Sequence, residues 1–238
     1  MPVTAETNAR PDNGWERMQM VRTILKILGA TTLFAVVHSV LASRQAKMQA
    51  ARLFGPRARN GGYRVFYLAQ SVLSLALLLL YLKRLPDRVL YRVTGPLARL
   101  MNLGQLAAVL YAVFAAGQIG FAKVLGISSL GAWLTGQPEV LPEPEAQGPR
   151  LDDQGQMHAT GPFAWSRHPL NFAPLPVFWL FPTMTLKLLV FNLAATVYFV
   201  LGSWHEETRL LAEYGASYSR YQAGPVPFYV PMPPAAGR

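Results

Sequence analysis

Val65-Phe-Tyr-Leu-Ala-Gln-Ser-Val-Leu-Ser-Leu-Ala-Leu-Leu-Leu-Leu-Tyr-Leu82 contains no Asp, Glu, Lys or Arg. An uncharged apolar run of this length matches the roughly 20 residues that an α-helix needs to cross about 30 Å of hydrocarbon. Leu103 to Ala122 is equally free of those four residue types, and Ile24 to Leu41 carries one Lys and one His among apolar residues. The whole chain of 238 residues is 52% apolar and only 14% charged, with a mean hydropathy of +0.22. Together these place it among integral membrane proteins.

A net charge of +10 raises the possibility of a nucleic-acid partner. The basic residues, however, lie between the apolar spans and form no continuous stripe, so nucleic acid is not expected as a partner. Lys and Arg anchoring helix ends against anionic headgroups account for the excess, with membrane lipids as the partner. The absence of cysteine excludes disulfides, thiolate metal sites and cysteine nucleophiles. Residues 1–19 are polar and mixed in charge, which reads as a disordered tail and not as a cleavable signal; the span after it is expected to be the first membrane helix.

The connection after that helix carries Arg44, Lys47, Arg52, Arg57 and Arg59 without an acidic residue, and so is the best cytoplasmic candidate. The next connection, with Lys83, Arg84, Arg88, Arg92 and Arg99, is basic too, and residues 86–99 are expected to lie along the interface with snorkelling side chains. Leu125 to Thr160, rich in Gly, Pro, Glu and Asp, reads as an irregular loop outside the bilayer, either a pocket wall or a plain linker.

From Pro169 to Pro182 an apolar segment is interrupted by Pro174 and Pro176, and a second run, Leu186 to Trp204, follows the turn Pro182-Thr183-Met184-Thr185. The first arm would span only about 20 Å as a helix, so it must start inside the membrane boundary or break at its prolines. Irregular backbone at that depth survives only where protein buries it or where it lines a cavity. The expected architecture is all-α: a bundle of about five transmembrane helices forming one domain over residues 20–231, with a C-terminal hairpin, a motif-bearing segment over 161–231 and a tail at 232–238.

The hairpin is bracketed by charge. Gly161-Pro-Phe-Ala-Trp-Ser-Arg167-His168-Pro169-Leu-Asn171 precedes it, and Glu206-Glu207, Tyr214, Tyr218, Tyr221 and Pro225-Val-Pro227 follow. Charges kept at membrane depth usually line a site. Arg167 offers a planar fork suited to a carboxylate, or serves as a headgroup anchor. Pro169 suits a first helical turn, placing His168 at a helix start; His38 reads as a hydrogen-bonded structural histidine. The four histidines His38, His158, His168 and His205 form no HxxxH pair, and no metal site is expected. Glu206 and Glu207 project about 100° apart, so one faces a pocket while the other pairs with Arg209 or water, and the cation they neutralise is a ligand ammonium or Arg167. The tyrosines form either an interfacial aromatic belt or a wall that stacks on a flat heterocycle.

These motifs resemble the isoprenylcysteine carboxyl methyltransferase and phospholipid methyltransferase superfamily. The shared elements are Gly161-x-Phe163-x-x-x-Arg167-His168-Pro169, Glu206-Glu207-x-x-Leu210, Tyr214-Gly215-x-x-Tyr218-x-x-Tyr221 and Val226-Pro227, in order across about 70 residues. His38-Ser39-Val-Leu-Ala42-Ser43-Arg44 is more similar to small bacterial members, including methanethiol S-methyltransferases. Two positions depart from the superfamily pattern: Asn171 stands where a tyrosine is usual and Ala173, followed by Pro174, where a glycine is.

The resemblance implies an S-adenosylmethionine-dependent membrane methyltransferase whose pocket, formed by the hairpin and the C-terminal segment, opens to the cytoplasm of a bacterial inner membrane. A small-molecule or lipophilic acceptor would enter from the bilayer, a small thiol or a lipid-like molecule. Arg167 and Glu207 would be catalytic. With His168 they would hold the methionine end or ribose, Tyr218 and Tyr221 would enclose the adenosine, and Pro169, Asn171 and Glu206 complete the contact set. The alternatives are a non-enzymatic, denitrification-associated membrane protein with a haem or quinone partner, and a nicotinamide-dependent membrane reductase. Oligomeric state is not encoded in any of these motifs.

Overall fold

A computed structural model of the protein describes residues 14–142, 148–157 and 159–233. Four helices are long and apolar enough to cross a membrane: α1 (Gly14–Ala42), α3 (Pro56–Lys83), α4 (Gly95–Ile119) and α10 (Leu186–Tyr214). Their outward residues, such as Leu33, Val72, Leu73 and Leu110, stay exposed, as a lipid-facing surface requires. The chain is an integral membrane protein of all-α class.

The expected fifth span is the proline-containing arm, and it does not form a long helix. It breaks into α8 (Pro169–Phe172) and α9 (Pro174–Trp179), each starting with a proline, which has no backbone N–H to donate to the preceding turn. Both pack against α4, where Gly104 leaves room for the Leu180 side chain.

Three further expectations are revised. The helix α1 already begins at Gly14, so residues 14–19 are helical; residues 1–13, expected to be disordered, lie outside the described residues. Residues 86–99 do not form one interfacial segment: β1 (Val89–Arg92) pairs antiparallel with β2 (Thr183–Thr185), and Gly95 then opens α4. This ribbon closes the end of the bundle opposite to α2 (Arg44–Phe54), and Lys187 Nζ donates there to the carbonyls of Leu82 (3.0 Å) and Leu85 (2.9 Å) at the end of α3. The stretch 125–160 contains α6 (Ile127–Leu134), an apolar segment whose Trp133 packs directly on Gly61 of α3. Short α5 (Phe121–Val124) joins it to α4.

The inner core joins α1, α3 and α10 through Ile27, Leu78, Leu82, Val190, Phe191 and Ala195. A second cluster, Leu210, Tyr218 and Tyr221, packs α11 (Ala216–Ala223) onto the end of α10. Gly215, at φ +52° and ψ −124°, supplies a positive-φ conformation open chiefly to glycine, which lets α10 stop and α11 fold back.

Candidate functional site

The Arg-His-Pro turn is set by local chemistry. Gly161 adopts φ +56°, and a Cβ there would press on the Phe114 ring at 3.0 Å. It admits the short helix α7 (Pro162–Trp165), after which Ser166 is extended and fully buried. The Ser166 hydroxyl donates to the Tyr229 carbonyl (2.7 Å) and accepts from the His168 amide (3.1 Å). The Arg167 amide donates to Pro227 O and the Met232 amide to Trp165 O, each at 2.9 Å. Residues 226–232 are thereby strapped across the turn.

Arg167 and Glu207 form the centre of an ionic knot. Arg167 Nε donates to Glu207 Oε1 at 2.7 Å, and Nη1 reaches the carbonyls of Gln222 (3.3 Å) and Val226 (3.2 Å). The guanidinium also lies over the Phe228 ring, 5.5 Å from its centroid. Glu207 receives further hydrogen bonds from the Tyr218 hydroxyl (3.1 Å) and Gln222 Nε2 (2.8 Å). With both side chains mostly enclosed, removing one partner leaves the other charge stranded, a loss of about 3–5 kcal/mol in buried pairs.

The His168 ring sits between the two glutamates, with Nδ1 3.3 Å from Glu206 Oε2 and Nε2 3.4 Å from Glu207 Oε1. The second contact has ion-pair distance but not hydrogen-bond geometry, so Nε2 is buried without a hydrogen-bond partner among the described residues. Asn171 Nδ2 donates to Glu206 Oε2 (2.9 Å) and to Ser203 Oγ (3.0 Å). Glu206 is thus positioned by α8 as well as by its own helix.

Beyond Glu206 opens a cavity of about 340 Å³, within the size range of small-molecule sites. One wall comes from the C-terminal half: Asn171, Tyr198, His205, Glu206 and Arg209. The other comes from α1, α2 and α3: His38, Ser39, Lys47, Arg59, Arg64 and Tyr67. His38 is hydrogen-bonded at both ring nitrogens, to the Tyr67 hydroxyl (2.6 Å) and to Ser71 Oγ (3.0 Å), and Ser39 Oγ meets the Tyr198 hydroxyl at 3.1 Å. Cations, a carboxylate and aromatic rings therefore converge on one space.

The model of the NnrU protein family matches residues 26–227, which takes in both cavity walls and the knot. The chain belongs to the NnrU protein family. This NnrU-family chain is also similar to curated proteins named methanethiol S-methyltransferase. It is 28% identical over 216 residues to the one from Crocosphaera subtropica, covering 90% of this chain and 76% of that protein. It is 45% identical over 65 residues to methanethiol S-methyltransferase 2 of Bradyrhizobium diazoefficiens, covering 27% of this chain and 25% of the relative. A third, from Pseudomonas deceptionensis, is 41% identical over 56 residues, 24% of this chain and 21% of that protein. In two of the three, the similarity spans about a quarter of the relative's length or less. No solved structure matches the chain. The resemblance read from the Arg-His-Pro and Glu-Glu motifs thus holds at the level of family and relatives.

Within this NnrU-family fold the motif residues divide into two groups. Asn171 and Glu206 line the cavity, whereas Arg167, His168, Pro169 and Glu207 lie behind them. The two glutamates do diverge as expected, but the partner of Glu207 is Arg167, not Arg209. Tyr218 is fully buried and Tyr221 nearly so, its hydroxyl donating to Phe163 O at 2.7 Å; both belong to the packing core and neither lines the cavity. Burial, then the charge of Glu207, pushes the Tyr218 phenol well above its usual range, and burial does the same at Tyr221 and Tyr229. His38 is hydrogen-bonded as the sequence suggests, yet it also faces the cavity. Ser166, Ser203, Gln222, Phe228 and Tyr229 escape a reading of the sequence, because much of what they do passes through backbone carbonyls or ring contacts that carry no residue pattern.

Proposed function

We propose that this chain is an integral-membrane methyltransferase that uses S-adenosylmethionine and methylates a small thiol. The observation that carries the reading is the cavity itself: a carboxylate, Glu206, held in place by Asn171 and His168, faces arginines and tyrosines across a space of about 340 Å³. This donor set fits the cofactor, which carries a carboxylate, an ammonium, a sulfonium and an aromatic base. Bound there, S-adenosylmethionine would supply an electrophilic methyl group: the acceptor thiolate, its proton lost to water, would take the methyl as the sulfonium–methyl bond breaks, giving a methyl thioether and S-adenosylhomocysteine.

Methyl transfer of this kind asks the protein mainly for alignment and partial desolvation, not for a strong general base. Glu206 and Asn171 bind and orient; Arg167, His168 and Glu207 hold them there by fixing the turn and the strap. The relatives' name supports a small thiol such as methanethiol as acceptor. The basic connection with Arg44, Lys47, Arg52, Arg57 and Arg59 lies at the same end of the bundle as the cavity, which supports a cytoplasmic opening in a bacterial inner membrane.

The test is calorimetric titration of detergent-purified protein with S-adenosylmethionine and S-adenosylhomocysteine, followed by a methyl-transfer assay with methanethiol. Micromolar binding, weakened at least about tenfold by Glu206→Ala, is expected, in line with loss of a hydrogen bond to a charged group. Folded protein that binds neither compound would overturn the reading.

A further inference from the structure

Arg209 stands three residues beyond Glu206 on α10 and lines the same cavity. Its Nε is enclosed and has no hydrogen-bond partner among the described residues. An enclosed guanidinium N–H without an acceptor is costly to maintain unless something else supplies the acceptor. Arg209 also lies within electrostatic reach of the Tyr67 and Tyr198 hydroxyls, which are themselves tied to His38 and Ser39. The local surface is thus a cation edged by hydroxyl groups, suited to a small anion.

Arg167, the arginine that the motifs bring forward, is differently placed. Its Nε and Nη1 are taken up by Glu207 and two carbonyls, and its face is covered by Phe228. It does not line the cavity, and two of its three guanidinium nitrogens are committed to the knot.

We propose that Arg209 binds the α-carboxylate of the methyl donor's methionine end, while Arg167 is a positioning residue that holds the strap. The proposal rests on the methyltransferase reading. A guanidinium fork matches a carboxylate in a way that a point charge does not, so arginine is the fitting residue for that role.

The experiment compares S-adenosylhomocysteine with its decarboxylated analogue, S-adenosyl-3-thiopropylamine, by calorimetry on wild-type protein, Arg209→Gln and Arg167→Gln. Wild type should prefer the carboxylate-bearing compound. Arg209→Gln should lower affinity for it about 10- to 100-fold, the range for a lost hydrogen bond to a charged group, and leave the analogue's affinity unchanged. Arg167→Gln should lower the melting temperature and weaken both compounds equally. A preference that survives Arg209→Gln, or its absence in wild type, overturns the assignment and leaves the methyltransferase reading intact. Binding of neither compound by wild type overturns both. Should Arg209→Gln fail to fold, Arg209→Lys retains the charge without the fork and should show a reduced preference; an undiminished one overturns the assignment.

Discussion

Two adjacent carboxylates on one helix would repel each other if they shared an environment. Glu206 and Glu207 avoid this because the helix turns about 100° per residue, sending one toward the cavity and the other into the knot. That separation was legible from the pair alone, and Arg167 was legible as one of two candidate cations, the other being a ligand ammonium. The place of Arg209 on the cavity wall was not legible, because it depends on Tyr67 of a distant helix. Around the knot the tyrosines make a pH-dependent contribution. Tyr218, Tyr221 and Tyr229 have phenols raised above the ordinary value of about 10, so folding favours their neutral form. That stability is complete below about pH 10 and is lost as pH climbs from there toward the folded-state values. In detergent, these three phenols should not contribute to the phenolate absorbance until the protein unfolds, and melting temperature should fall steeply above about pH 10. Tyr218→Phe should lower the melting temperature at neutral pH through its missing bond to Glu207, but flatten the alkaline decline.

At the scale of elements, α6 shows how a short helix can be fixed by one close approach. A Cβ added at Gly61 would lie 2.4 Å from Trp133 Cβ and 2.7 Å from Cγ, atoms near the α6 backbone that cannot simply swing aside. Gly61→Ala should therefore displace α6 and destabilise the protein by about 1–3 kcal/mol, the cost of overpacking, whereas Gly29→Ala, with open space around it, should not. Melting of both variants in the same detergent checks the difference. The four long helices were readable because an uncharged apolar run has little alternative in a bilayer. The short elements were not. α6 sits among glycines and prolines whose local signal is that of a loop, and the β1–β2 ribbon joins segments nearly a hundred residues apart through main-chain bonds. The broken arm could be read only as a choice between a short helix and an interrupted one, and Pro174 decided it.

Taken as a whole molecule, the bundle has two chemically different ends. One carries α2, the cavity and the knot; the other carries the ribbon with Lys187 bound to the end of α3. Both ends are basic, so charge counting alone gives a weak orientation. Because the chain has no cysteine, single introduced cysteines report each end cleanly. With the cavity facing the cytoplasm, Gln154→Cys, on an exposed turn tied to α11 through the Ser217–Gly155 bond, should resist a membrane-impermeant maleimide in intact cells and label after lysis. Arg88→Cys should label in intact cells. The reverse pattern would overturn the orientation, and labelling of both from one side would overturn the crossing of α4.

The strap carries one more consequence, for the order of synthesis. Its residues 226–232 leave the ribosome after α1, α3, α4 and α10 have all been made, yet they provide the carbonyls that settle Arg167 and Ser166. A nascent chain can thus be fully inserted while its ionic centre is still unlatched, and the final residues of the strap decide when translation yields a finished site.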